Sequence, residues 1–246
     1  MNKIAVCISG QMRSWEVQRG FFNSWNNEID DVEFDFFIST WDTIGFDEIA
    51  IKPDKEISLD VTDEYIGKIN GLKDYEILDE DGINWIDLQC SVTERNKKMA
   101  YLFCTCNLLK VKYEQENNFI YDSVISIRPD CSMILKQLRD RVISFLTLNE
   151  GLKSEWDKIY LELTPISKGG SVNYSDTNNG LYRNDFFSFG TSSTMDVYSN
   201  LFKYVFLNEE YNMIPHGHTM NHDYINYFAL NELLPSFHIT KARPNE

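Results

Sequence analysis

The sequence predicts an α/β fold, with a mostly parallel, mixed central sheet flanked by helices in one domain over residues 1–246. Three observations predict it. Residues 3–9 form a short, continuous apolar run, the pattern of a strand buried on both faces. A helical segment and a second apolar run, residues 34–40, follow directly, and strand–helix–strand order marks a parallel βαβ unit. Three further short apolar runs then come after one long helical pattern. With 43% hydrophobic and 14% aromatic residues the chain can build a sizeable core, which excludes global disorder.

The elements follow in order. After the strand at 3–9, residues 14–27 read as a helix whose face carries Trp15, Phe21, Phe22 and Trp25. The strand at 34–40 ends in the hydroxyls of Ser39 and Thr40. Residues 45–60 are acidic and loop-like, and a short helix is expected over 62–70. Ser91-Val-Thr-Glu94 has capping-box spacing and opens the longest helical pattern, running to residue 117. Met99, Leu102, Phe103, Cys106, Leu109 and Tyr113 recur along it at helical spacing as a core-facing stripe. Strands are expected at 123–128, where Pro129 stops the run, and at 158–163 and 185–190. The polar, glycine-rich stretch 167–180 is a loop of a length that is usually functional or disordered. Helices are expected over 194–207 and 219–233.

Composition narrows the function classes. The chain carries 38 acidic against 23 basic residues, a formal charge of −15, which repels nucleic-acid polymers. A single nucleotide is not excluded, because backbone amides and a bound cation can hold it. The 5 cysteines contain no CxxC pair, which argues against a disulfide framework and for a reducing compartment. No apolar stretch approaches the roughly 20 residues of a membrane span. The expected location is cytoplasmic.

Four groups of residues can carry chemistry. Ser9-Gly10-Gln11-Met12-Arg13 follows the first strand and precedes a helix. There Gly10 admits close backbone approach and the Arg13 guanidinium can face a phosphate bidentately. The alternative is a tight turn with a solvated arginine. Asp130 stands just past the third strand, where ligands bind in open α/β sheets, and a hard carboxylate oxygen suits Mg2+ or Mn2+. The alternative is a turn begun by Pro129-Asp130. Arg128 precedes it on an otherwise apolar run. His216, His218 and His222 cluster beside Asp223, with His218 and His222 four residues apart. Finally, Arg95, Lys97 and Lys98 oppose the dipole of the long helix they begin. Trp41 can stack on a base or sugar, or serve as a core aromatic.

On these residues the chain resembles glycosyltransferases of the GT-A fold, a Rossmann-like architecture, in the small soluble form found in phages, large viruses and bacteria. The carrying segments are Ile8-Ser9-Gly10-Gln11-Met12-Arg13, Phe36-Phe-Ile-Ser-Thr40-Trp41, Tyr121 to Asp130, and Asp185 to Asp196. The resemblance implies a nucleotide-sugar donor, a UDP-hexose in the first instance, with Mn2+ or Mg2+ bridging its diphosphate. Ser9, Gly10, Gln11, Arg13, Thr40, Trp41, Arg95 and Arg128 are then the expected donor-binding residues. The family's Asp-x-Asp metal motif corresponds here to Arg128-Pro129-Asp130, so only the second carboxylate remains. Asp130, with His222 or His218, is the expected metal shell. Asp223, then Asp185, is the expected base toward an acceptor of unknown identity; a retaining enzyme needs neither. Inside a virus-infected cell the location would be the host cytoplasm. Two other classes stay open: a metal-dependent hydrolase built on His216, His218 and His222, and a non-catalytic nucleotide-sugar binding protein.

Overall fold

The computed structural model of the chain describes residues 2–13, 15–28, 31–43, 61–67, 69–83, 94–129, 158–165, 181–200 and 236–241. At 17, 28, 94–96, 158–165, 181–187, 189, 194, 197 and 236–241 it describes the backbone alone. In chain order the elements are β1 (Asn2–Ser9), α1 (Trp15–Glu28), β2 (Val32–Trp41), α2 (Asp63–Ile66), β3 (Leu72–Leu78) and α3 (Glu94–Asn117). Then come β4 (Ser123–Ile127), β5 (Lys158–Pro165), β6 (Leu181–Gly190), α4 (Ser192–Ser199) and β7 (Ser236–Lys241). The strands form one seven-stranded sheet in the order β3-β2-β1-β4-β6-β5-β7. Neighbours are parallel from β3 through β4, β6 runs antiparallel to β4 and β5, and β5 pairs parallel with β7. The expected mixed, mostly parallel α/β sheet is therefore present.

The continuous apolar runs lie in the middle of the sheet because both of their faces are covered. Along β1, Ile4, Val6 and Ile8 point to the same side as Phe34, Phe36 and Ile38 of β2, where Trp15, Phe22 and Trp25 of α1 join them in one core. All nine are fully buried. Trp25 meets Phe34 edge-on at 5.1 Å between ring centroids and Phe22 at 5.3 Å. Complete burial of each such side chain is worth about 1.5–3 kcal/mol, so this face contributes much of the folding drive. Asn26 fixes the register of α1 on the sheet, donating to the Phe34 carbonyl (2.9 Å) and accepting from its N–H (2.8 Å).

The alternate residues, Cys7, Phe37 and Ser39, face α3. Phe37 packs on Tyr113 of α3, and the Cys106 thiol donates to the carbonyls of Ile8 (3.5 Å) and Phe37 (3.3 Å). Asp35 lies on this face too, 1% exposed, accepting the Tyr121 hydroxyl at 2.7 Å and pairing with Lys73 at 3.1 Å. The register between β2 and β3 shifts at Phe36/Phe37, leaving Lys73 as the extra residue beside Asp35.

Two strands were not expected. Both β3, Leu72-Lys-Asp-Tyr-Glu-Ile-Leu78, and β7 lie at sheet edges, where strands carry charge and lose the apolar continuity that marks a central one. The short helix stops at Ile66, four residues early, because Gly67 caps it and Gly71 (φ +91°) turns the chain into β3. β6 starts at Leu181 rather than 185, and α4 at Ser192 rather than 194. On α3 the expected stripe holds at Leu102 and Cys106, but the buried set also includes Asn107, Lys110 and Glu114. The sheet covers one side of α3 and α4 another, so more than one stripe is enclosed. The stretches 45–60 and 167–180 and the expected helix 219–233 lie outside the described residues, as does the expected continuation of the 194–207 helix past residue 200.

Candidate functional site at the carboxyl ends of β1 and β4

Strand order reverses beside β1. From β1 the chain moves outward to β2 and β3, then returns across the sheet to β4 on the other side of β1. The connection carrying α1 lies on one face and that carrying α3 on the opposite face. Their divergence falls at the carboxyl ends of β1 and β4, the position where open α/β sheets bind ligands in a crevice. Ser9-Gly10 and Arg128-Pro129 meet there, as Ile8 pairs with Ile127 in the final rung of the β1–β4 ladder.

Gly10 has φ +140°, a conformation that side chains disfavour, and donates its N–H to the Ser39 carbonyl at 3.2 Å. A Cβ at this position would stand 3.1 Å from Pro129 Cδ and 3.9 Å from Arg128 Cγ. The two strand ends therefore approach as closely as a residue without a side chain allows. Beyond Gly10, the turn is anchored by Met12, which is fully buried. The Met12 carbonyl accepts the Trp15 N–H and the Tyr65 hydroxyl, each at 3.2 Å. Burial and the neighbouring Glu16 carboxylate raise the Tyr65 pKa above 10.0, against the opposing pull of Arg19, so this hydroxyl stays protonated and donating. Gln11 and Arg13 flank the anchor, half-buried. The Gln11 Oε1 accepts from Arg13 Nε at 3.0 Å and also from Nη2.

Ser9 is 6% exposed, and its register partner Ser39 is fully buried, with no hydrogen-bond partner for Oγ among the described residues. Thr40 is also buried, but its hydroxyl donates to the Trp41 carbonyl at 3.2 Å. Trp41 is 2% exposed and stacks on Tyr101 of α3, with 6.2 Å between centroids and 11° between planes. The start of α3 is held at this edge by that stack and by the ion pair of Lys98 with Glu80 (2.9 Å), whose other oxygen accepts the Thr43 hydroxyl. Lys98 is therefore engaged with protein, Lys97 is buried, and Arg95 lies in the first turn of the same helix. Arg128 is half-buried beside Gly10.

Asp185 comes to the same edge by backbone register. The last rung of the antiparallel β4–β6 ladder is Ile127 with Phe187, so β6 carries Asp185 past the end of β4. The site therefore gathers Ser9, Gly10, Gln11, Arg13, Arg128 and Asp185, while Arg95 lies in the first turn of α3, whose start packs beside the ends of β2 and β3. Asp130, His216, His218, His222 and Asp223 lie outside the described residues. Among the described residues no group of three His, Cys, Asp or Glu side chains is arranged to hold a metal, and no helix is long and apolar enough to cross a membrane.

Two contributors escaped the sequence. Ser39 was visible only as one of two terminal hydroxyls, and strand alternation is what separates it from Thr40. Tyr65 had no signal, since its role depends on α2 folding back over the turn after β1. No protein-family model matches the chain, and no curated protein matches it.

Proposed function

We propose that the chain is a metal-dependent glycosyltransferase of the GT-A type that takes a hexose from a nucleoside-diphosphate sugar, UDP-linked in the first instance. The observation that carries this reading is the meeting of residues 9–13 with Arg128-Pro129 over the carboxyl ends of β1 and β4. A mostly parallel mixed sheet is also what the resemblance to that fold implies.

In this reading Gly10 lets the donor diphosphate approach the main chain, and Arg13 and Arg128 neutralise it from either side of the crevice. Arg95 adds charge from the start of α3. Asp130 is next after Pro129 in the sequence, and its hard oxygen donors would fit Mn2+ or Mg2+, with His218 or His222 as the further ligand. Such an ion, when bound, supplies charge neutralisation to the departing nucleoside diphosphate. The carboxylate of Asp185 or Asp223 takes the proton of the acceptor hydroxyl as the sugar is transferred. The acceptor is a hydroxyl-bearing glycan, protein or small molecule.

The test is a screen of UDP-, GDP-, CMP- and dTDP-sugars for free nucleotide, with Mn2+, with Mg2+ and with EDTA. Slow donor hydrolysis needs no acceptor. The expected result is metal-dependent release from one donor, with Asp130→Ala removing metal-dependent UDP binding while the fold stays intact. No release, together with no calorimetric binding of any nucleotide, overturns the proposal and returns attention to the histidine cluster.

A further inference from the structure

We infer that Gln11 is a positioning residue that occupies the phosphate-binding edge of Arg13, and that a diphosphate binds by displacing it. This inference rests on the reading of the β1–β4 crevice as a diphosphate site. A guanidinium presents Nε and one Nη as a parallel pair of donors, the edge that matches two phosphate oxygens. In this structure that edge is already taken, for Gln11 Oε1 accepts from both Arg13 Nε (3.0 Å) and Nη2. A single neutral amide oxygen receives two donors that would serve two anionic oxygens better.

The surrounding turn makes the exchange local. Met12 separates the two residues and is held by its buried side chain and by the Tyr65 and Trp15 donors to its carbonyl. The backbone of the turn therefore has no reason to move when Gln11 lets go. Gln11 and Arg13 are each half-buried, so their side chains retain room to re-aim. Gln11 thus orients the cation before binding and competes weakly with the ligand for it.

This arrangement has a signature that direct donor contact by Gln11 does not. If Gln11 touched the ligand, removing its side chain would weaken binding. If Gln11 holds Arg13, Gln11→Ala frees the edge, and Gln11→Glu locks it with a charged partner.

The experiment titrates inorganic pyrophosphate and UDP, each with Mg2+, into the full chain and into Gln11→Ala, Gln11→Glu and Arg13→Ala, with thermal melts of each. The expected result is binding at least about threefold tighter for Gln11→Ala, because two hydrogen bonds from a charged guanidinium no longer have to be broken and water takes their place. Gln11→Glu should bind at least about tenfold weaker, since a charge-assisted pair must now be broken. Arg13→Ala should lose pyrophosphate and UDP together, with all melts cooperative. Weaker binding by Gln11→Ala, or unchanged binding by Gln11→Glu, overturns the inference and leaves the diphosphate site standing. Absence of pyrophosphate and UDP binding by the unaltered chain overturns both.

Discussion

On the α1 face of the sheet, β1 and β2 bury Ile4, Val6, Ile8, Phe34, Phe36 and Ile38 against Trp15, Phe22 and Trp25. On the α3 face, β1 and β2 bury Cys7, Asp35, Phe37 and Ser39, and the helix above them encloses Lys110 and Glu114. Lys110 is fully buried, with Nζ 2.9 Å from Glu114, 2.6 Å from Asp196 and 2.5 Å from the Ser192 hydroxyl. Glu114 also accepts from the Tyr121 N–H and the Ser192 hydroxyl, which ties α3 to the start of both β4 and α4. One face is sealed by apolar area and the other by pairing. The difference teaches that burial alone does not say what a substitution will cost: on one face volume decides, on the other the partner left behind.

Two substitutions of similar expected size separate these cases. Trp25→Ala should destabilise by about 3–5 kcal/mol through lost area and a cavity. Lys110→Ala should cost about the same by leaving Glu114 buried without its cation. Chemical denaturation of Trp25→Phe and Lys110→Met then tells the mechanisms apart. Trp25→Phe should recover much of the loss and Lys110→Met little, because methionine restores volume without charge. Equal recovery at both positions would erase the distinction.

The Asp35 cluster gives a smaller effect with a pH signature. Tyr121→Phe removes the 2.7 Å hydrogen bond to the buried Asp35, a loss of about 1.5–3 kcal/mol. Burial and Asp35 hold the Tyr121 pKa far above 10.0. Lys73 is also raised above 10.5, its partial burial outweighed by the hydrogen bond and charge of Asp35. Both folded-state values exceed the unfolded ones, so this stabilisation is complete below about pH 10 and is lost as pH rises through the folded values. Melting temperatures of the unaltered chain should fall above about pH 10, and Tyr121→Phe should flatten that decline.

The same contrast explains what was legible in the sequence. The α1 face was readable because its residues are apolar at strand and helix spacing, the aromatic face of α1 included. The meeting of Ser9-Gly10 with Arg128 was readable because each follows an apolar run, and parallel strands bring such ends to one edge. The α3 face was not, since Lys110 and Glu114 at four-residue spacing read as a solvated ion pair until α4 covers them. Trp41 had two readings by pattern alone, and its burial depends on where Tyr101 arrives from a distant helix. β3 was missed because Lys73, Asp74 and Glu76 interrupt it, and an edge strand needs only one apolar side.

At the crevice itself, Gly10→Ala should cost about 1–3 kcal/mol, because φ +140° is disfavoured for alanine and the new methyl meets Pro129 Cδ at 3.1 Å. It should weaken UDP binding by more than that loss of stability explains, as calorimetry on the still-folded variant would show. A variant that binds UDP normally would detach Gly10 from the ligand.

The most direct measurement is hydrogen exchange of the full chain with and without UDP-sugar and Mn2+, read by mass spectrometry under conditions where calorimetry shows binding. The expected result is slowed exchange concentrated in residues 8–13 and 127–130, the two segments that meet at the ends of β1 and β4. Bound donor with unchanged exchange in both segments would contradict the placement of the site at this edge.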